Sequence, residues 1–165
     1  MAVRSEAWMR AVGLPALIGG VASGVLDLIY AVIAYHVELM PVLRVIAGGW
    51  LGRGARDSGV AGSLLGLISH FGILIVASGL YALAATRAPL LRRQPIPFGL
   101  AYGAAIYVFM NWVVVPLSAV PARAAQPIMY HLPHIVGHTL LVGLPIAVAC
   151  WWFAGRRQAA AQARS

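Results

Sequence analysis

The chain has 165 residues, of which 61% are hydrophobic and 10% charged, with a formal net charge of +8. A soluble domain is roughly 25% charged, so these few charges cannot cover a water-facing surface and lipid must solvate most of the chain. All 12 basic residues are arginines in short segments beside apolar runs, which is the pattern of membrane topology signals and not of a nucleic-acid face.

The first apolar run extends from Ala11 to about His36, after Arg4 and Arg10. The small residues Ala22, Ser23 and Gly24 imitate a cleavage site, but the run continues beyond the ~7–15 residues of a signal-peptide core, so it is expected to span. Its length exceeds the ~30 Å hydrocarbon layer, which predicts tilt or a push of His36 and Glu38 into the interface. Met40 to Leu51 is too short to span and is expected to form a short interfacial or re-entrant segment, with Trp50 at headgroup depth. The following Gly52-Arg-Gly-Ala-Arg-Asp-Ser-Gly turns the chain back. Its two arginines also suit an anionic headgroup, although it matches no phosphate-loop spacing.

Further spans are predicted over about 60–86, 98–117 and 133–154, the last opened by Pro133, a residue suited to a first helical turn. A basic, proline-broken turn from Arg87 to Pro97 joins the second and third. The expected fold is all-α: a four-transmembrane-helix bundle forming one integral membrane domain over 1–165. With both termini on one side, that side receives 8 arginines (Arg4, Arg10, Arg87, Arg92, Arg93, Arg156, Arg157, Arg164) and the other receives 4 (Arg44, Arg53, Arg56, Arg123). The excess places both termini in the cytoplasm.

Helical spacing then assigns faces. Gly20, Gly24, Asp27, Ala31, Ala34 and Glu38 follow at steps of three or four, a narrow stripe that puts Asp27 on a packed face and His36 elsewhere. Ser63, Gly66, His70, Ala77 and Tyr81 form a second stripe, and Ala104, Tyr107, Asn111 and Ser118 a third. On the fourth helix His134, His138, Leu141 and Pro145 share a face, while Gly143 and Ala147 lie on another. The GxxxG spacings at Gly20–Gly24, Gly62–Gly66 and Gly99–Gly103 suit close helix approach. Asp27 and His70 both come out at ~15 Å from the outer helix ends and are predicted to be neighbours. Asn111 and His138 should lie one or two turns nearer the outer surface.

The candidate polar cluster is therefore Asp27, His70, Asn111 and His138, with His134, Glu38 and His36 as secondary members. The plainest reading is interhelical hydrogen bonding at ~1 kcal/mol or less per bond, in a non-enzymatic membrane protein that packs as an oligomer or an accessory subunit. A second reading is a metal site from His70, His134 and His138 with Asp27, or haem held by His70 and His138. His131 precedes Pro133 and is expected in the loop, and no HExxH glutamate or CxxCH motif is present. A third is a proton or small-solute path through Asp27 and His70. Nucleophilic catalysis is disfavoured because Ser69 and His70 are adjacent and face apart on a helix. Cys150, the only cysteine, leaves no thiolate cage.

The segments Asn111-Trp-Val-Val-Val-Pro-Leu-Ser, Gly143-Leu-Pro-Ile-Ala and Gly66-Leu-Ile-Ser-His70-Phe resemble small, uncharacterised four-helix inner-membrane proteins of bacteria, loosely YagU-like, over most of the chain after Asp27. The resemblance implies a bacterial inner-membrane location and no catalytic activity, and draws attention to His70 and Asn111. The expected partners are the lipid bilayer and a membrane protein or second copy of the chain, with no nucleic acid.

Overall fold

A computed structural model describes residues 2–121 and 126–162, with side chains described over 5–121 and 126–154. The described residues are helical with short connections and contain no strand. Four helices are long and apolar enough to cross a membrane: α1 (Ser5–Tyr35), α3 (Gly59–Arg87), α5 (Pro95–Leu117) and α6 (Ile128–Ala154). The described residues also form the short helices α2 (Leu39–Leu51) and α4 (Pro89–Arg93), with a 3-10 turn at Gly52–Asp57 after α2. Helical backbone continues back to Ala2 and forward to Gln162. Arg123 and Arg164 of the arginine count lie outside the described residues, as do the side chains of Arg4, Arg156 and Arg157.

α1 packs against α3 and α6, α5 packs on α6, and α2 lies along α3. Tyr102 of α5 closes the ring by donating its hydroxyl to the Ala77 carbonyl of α3, at 2.7 Å. Ser78 of α3 donates to the Pro15 carbonyl of α1 at 2.9 Å. The apolar core comprises Val12, Leu74, Tyr81, Ala82, Val142, Ile146, Ala147 and Cys150. It fills the half of the bundle nearer the chain termini. The ionisable residues Asp27, His70 and His138 lie on the other side of it, toward the distal end that carries α2.

Glycines set the helix spacing. A side chain at Gly20 would strike the Ile75 backbone, and one at Gly66 the Leu43 backbone of α2. Gly99 and Gly103 of α5 lie directly on Gly143, Leu144 and the His138 carbonyl of α6. The first and third GxxxG pairs thus form seams between spans. In the second, Gly66 admits α2 while Gly62 abuts Ser58 of its own first turn.

Three spans contain a π-helical turn, at Met9–Gly13, Met110–Val114 and His138–Gly143. Each ends two residues before a proline: Pro15, Pro116 or Pro145. Proline has no N–H for the carbonyl four residues back and its ring crowds that carbonyl. Widening the preceding turn relieves the crowding and moves bonding to the i+5 register. The Leu14 N–H accordingly bonds the Met9 carbonyl, Val115 bonds Met110, and Leu144 bonds Thr139.

The wider turn also rotates less per residue. On α6 it swings His138 toward the side that carries Gly143, and both backbones meet Gly103. The two separate faces predicted for the fourth helix hold for a regular α-helix; the π turn merges them.

The predicted start of the last span shifts, while the predicted end of the first holds. α6 starts at Ile128, so Pro133 is internal and His131 is helical. Pro133 has no N–H to give the Met129 carbonyl one turn back, and its own carbonyl accepts the Tyr30 hydroxyl at 2.9 Å. α1 ends at Tyr35, where His36 caps it in the left-handed conformation at φ 50°. Glu38 then serves as the extended residue before α2 and leaves the α1 stripe.

Candidate functional site

Rise per residue fixes the depths. Asp27 lies 8 residues before the distal end of α1, His70 lies 11 after the start of α3, and His138 lies 10 after the start of α6. At 1.5 Å per residue these are about 12, 16 and 15 Å from the distal helix ends. His138 is therefore level with Asp27, a turn deeper than the sequence predicts, because α6 starts before Pro133.

The three side chains meet. Asp27 Oδ2 lies 3.9 Å from His70 Nε2, and Oδ1 lies 3.8 Å from His138 Nδ1. These are charge-pairing distances, longer than direct hydrogen bonds. The Asp27 side chain is 18% exposed, His70 10% and His138 25%. Each imidazole also has a carbonyl in reach: His70 Nε2 is 3.1 Å from the Gly24 oxygen, and His138 Nδ1 is 3.1 Å from the His134 oxygen. A carbonyl can only accept, so the ring nitrogen facing Asp27 carries the hydrogen in both histidines. Asp27 thus sits between two N–H donors from two other helices. Gly24 enables the first contact twice over, since it supplies the accepting carbonyl and its bare Cα leaves room for the Phe71 ring beside His70.

Toward the distal rim the polar line continues through aromatic and imidazole rings. His138 lies edge-on to Tyr107 of α5, with ring centroids 5.3 Å apart. The Tyr107 hydroxyl is 2.7 Å from His131 Nδ1, and the His131 ring lies 5.3 Å from that of Trp112. Asp27, His70 and His138 at mid-bundle and the hydrogen-bonded pair Tyr107 and His131 nearer the rim are thus two polar groups joined by the ring contact of His138 with Tyr107.

No family model matches the chain, and no curated protein or solved structure is significantly similar to it. The site must therefore be read from its own geometry.

The remaining candidates lie elsewhere. Asn111 donates its amide to the Tyr107 carbonyl at 3.0 Å, one turn back on its own helix. His134 stacks on Tyr35 at 4.8 Å, and its Nδ1 donates to the Tyr130 carbonyl at 2.8 Å. It therefore does not join His70 and His138 in the predicted metal set. Among the described residues no group of three or more His, Cys, Asp or Glu side chains is placed to hold a metal ion. His36 and Glu38 are exposed in the α1–α2 connection. Sequence reasoning gave Tyr107 only a packing role and placed His131 in a loop. The i, i+3, i+7 spacing of His131, His134 and His138 was the available signal, concealed by the assumption that Pro133 opens the helix.

Proposed function

We propose that this chain is a non-enzymatic, multi-pass bacterial inner-membrane protein that exchanges protons with the outer face through Asp27, His70 and His138. The observation that carries this reading is one carboxylate held between two imidazoles from two other helices, at a depth where an ionisable group is costly without partners. Tyr107 and His131, hydrogen-bonded to each other and in ring contact with His138, supply further protonatable groups toward the rim. Both termini lie in the cytoplasm, in keeping with the arginine excess on that side, and α2 rests in the outer interface. The protein is of the YagU-like kind. Its apolar outward faces contact lipid and a second copy or partner subunit. The haem or metal reading draws less support, because among the described residues no group of three or more His, Cys, Asp or Glu side chains is placed to hold a metal ion and His134 stacks on Tyr35 instead.

The test is proton uptake by the protein in liposomes, read with a membrane-impermeant pH dye in the external medium after an acid pulse. The wild type should take up protons from that medium beyond what protein-free liposomes do. Asp27→Asn should abolish the difference. An unchanged rate in Asp27→Asn would end the proton reading.

A further inference from the structure

A second polar site lies at the distal end, apart from Asp27. It is a cavity of about 730 Å³ bordered by Arg44 and Gly48 of α2, by Arg53 and Arg56 of the turn that follows, and by Val120 and Pro121 beyond α5. Its three walls are tied together. The Ala119 N–H donates to the Gly49 carbonyl at 2.9 Å, which docks the segment after α5 onto α2. Gly52 turns the chain at φ +58°, where a side chain would be strained and would crowd the Ala119 carbonyl. That turn brings Arg53 and Arg56 to the cavity that Arg44 also borders.

Among the described residues none of the three guanidinium groups makes an ion pair or a side-chain hydrogen bond. Asp57 is adjacent in sequence but is not paired with them. Three like charges around one cavity repel each other until an anion joins them. Guanidinium forks match phosphate oxygens in pairs, and the volume falls in the ~300–1,000 Å³ range of small-molecule sites. Trp50 and Leu51, exposed on the same short helix, suit headgroup depth.

The geometry points to a binding site for a phosphate-bearing anion, held by Arg44, Arg53 and Arg56. The phosphate belongs either to an anionic lipid headgroup entering from the bilayer or to a free phosphate from solution. The apolar wall of Val120 and Pro121 accommodates the glycerol end of a lipid, and the open face admits inorganic phosphate. The site stands independently of the Asp27 reading.

The full chain in mild detergent provides the test. Native mass spectrometry would follow titration with phosphatidylglycerol and with phosphatidylcholine, and thermal unfolding would be measured with and without inorganic phosphate. For a lipid site, the wild type retains one phosphatidylglycerol in preference to phosphatidylcholine. Each arginine-to-glutamine change then weakens retention about fivefold, and the triple variant R44Q/R53Q/R56Q on the order of a hundredfold. The R92Q/R93Q pair at the opposite end should change nothing. Stabilisation by inorganic phosphate without lipid preference, lost in the triple variant, assigns the site to free phosphate. If circular dichroism finds the triple variant unfolded, R53Q and R56Q, both at exposed positions, are read singly in its place. The proposal is overturned if the wild type shows neither lipid preference nor phosphate stabilisation, or if either survives the substitutions.

Discussion

At the residue scale the chemistry centres on Asp27, whose two oxygens face two imidazoles on different helices. The closeness of Asp27 and His70 was legible in the sequence, from their matching depths and small-residue faces. The second imidazole was not legible, because it depended on where α6 begins. His70 is buried and bonded to the Gly24 carbonyl, so His70→Ala should cost about 1–2 kcal/mol, the upper end for interhelical hydrogen bonds in membranes. Unfolding by a denaturing detergent in mixed micelles would measure it, and a cost near zero would mean that the bond is not formed. Tyr107→Phe removes the hydroxyl at His131. It should lower stability by less than about 1 kcal/mol while slowing proton uptake severalfold. Unchanged uptake would remove Tyr107 from the path.

At the element scale the prolines govern more than their own positions. Pro145 widens the turn from His138 to Gly143, and that turn aims His138 at Asp27. Pro145→Ala should let α6 return to α-helical register and rotate His138 away, leaving the bundle folded. Histidine ring NMR can detect this. In the wild type, Asp27→Asn should shift the ring signals of both His70 and His138; in the Pro145→Ala background it should shift those of His70 alone. Equal shifts in both backgrounds would show that the π turn does not set the orientation. The helix seams give a separate prediction. Gly103→Val would drive a side chain into the His138 carbonyl and the Thr139 backbone, so it should destabilise the bundle by about 1–3 kcal/mol, the usual cost of overpacking. The glycine spacing was legible. The identity of the surface each glycine meets was not, since Gly66 receives a short helix and not a span.

At the scale of the whole molecule an even number of crossings puts the two termini on one side, with α2 and the arginine-bearing turn after it on the other. Reporter fusions at the two termini should give the same cytoplasmic signature. In a Cys150→Ser background, a cysteine at Gly54, whose site is open, should be labelled by a membrane-impermeant reagent from the opposite face. Labelling of Gly54→Cys only after the membrane is opened would reverse the topology. The apolar core on the terminus side and the polar groups on the distal side divide the bundle into a half that packs and a half that can carry charge.

The sequence alone determined that four helices are long and apolar enough to cross a membrane, and which residues do not belong in lipid. Apolar run length suffices for the first, and the cost of burying an ionisable group marks the second. Tertiary structure decided which of those residues meet. Rotation and start point of a helix depend on where a proline widens a turn and how closely a neighbouring glycine lets the backbone approach. A shift of five residues at the start of α6, together with one widened turn, carried His138 from its predicted depth and face to the side of Asp27. The same packing turned His134 outward onto Tyr35.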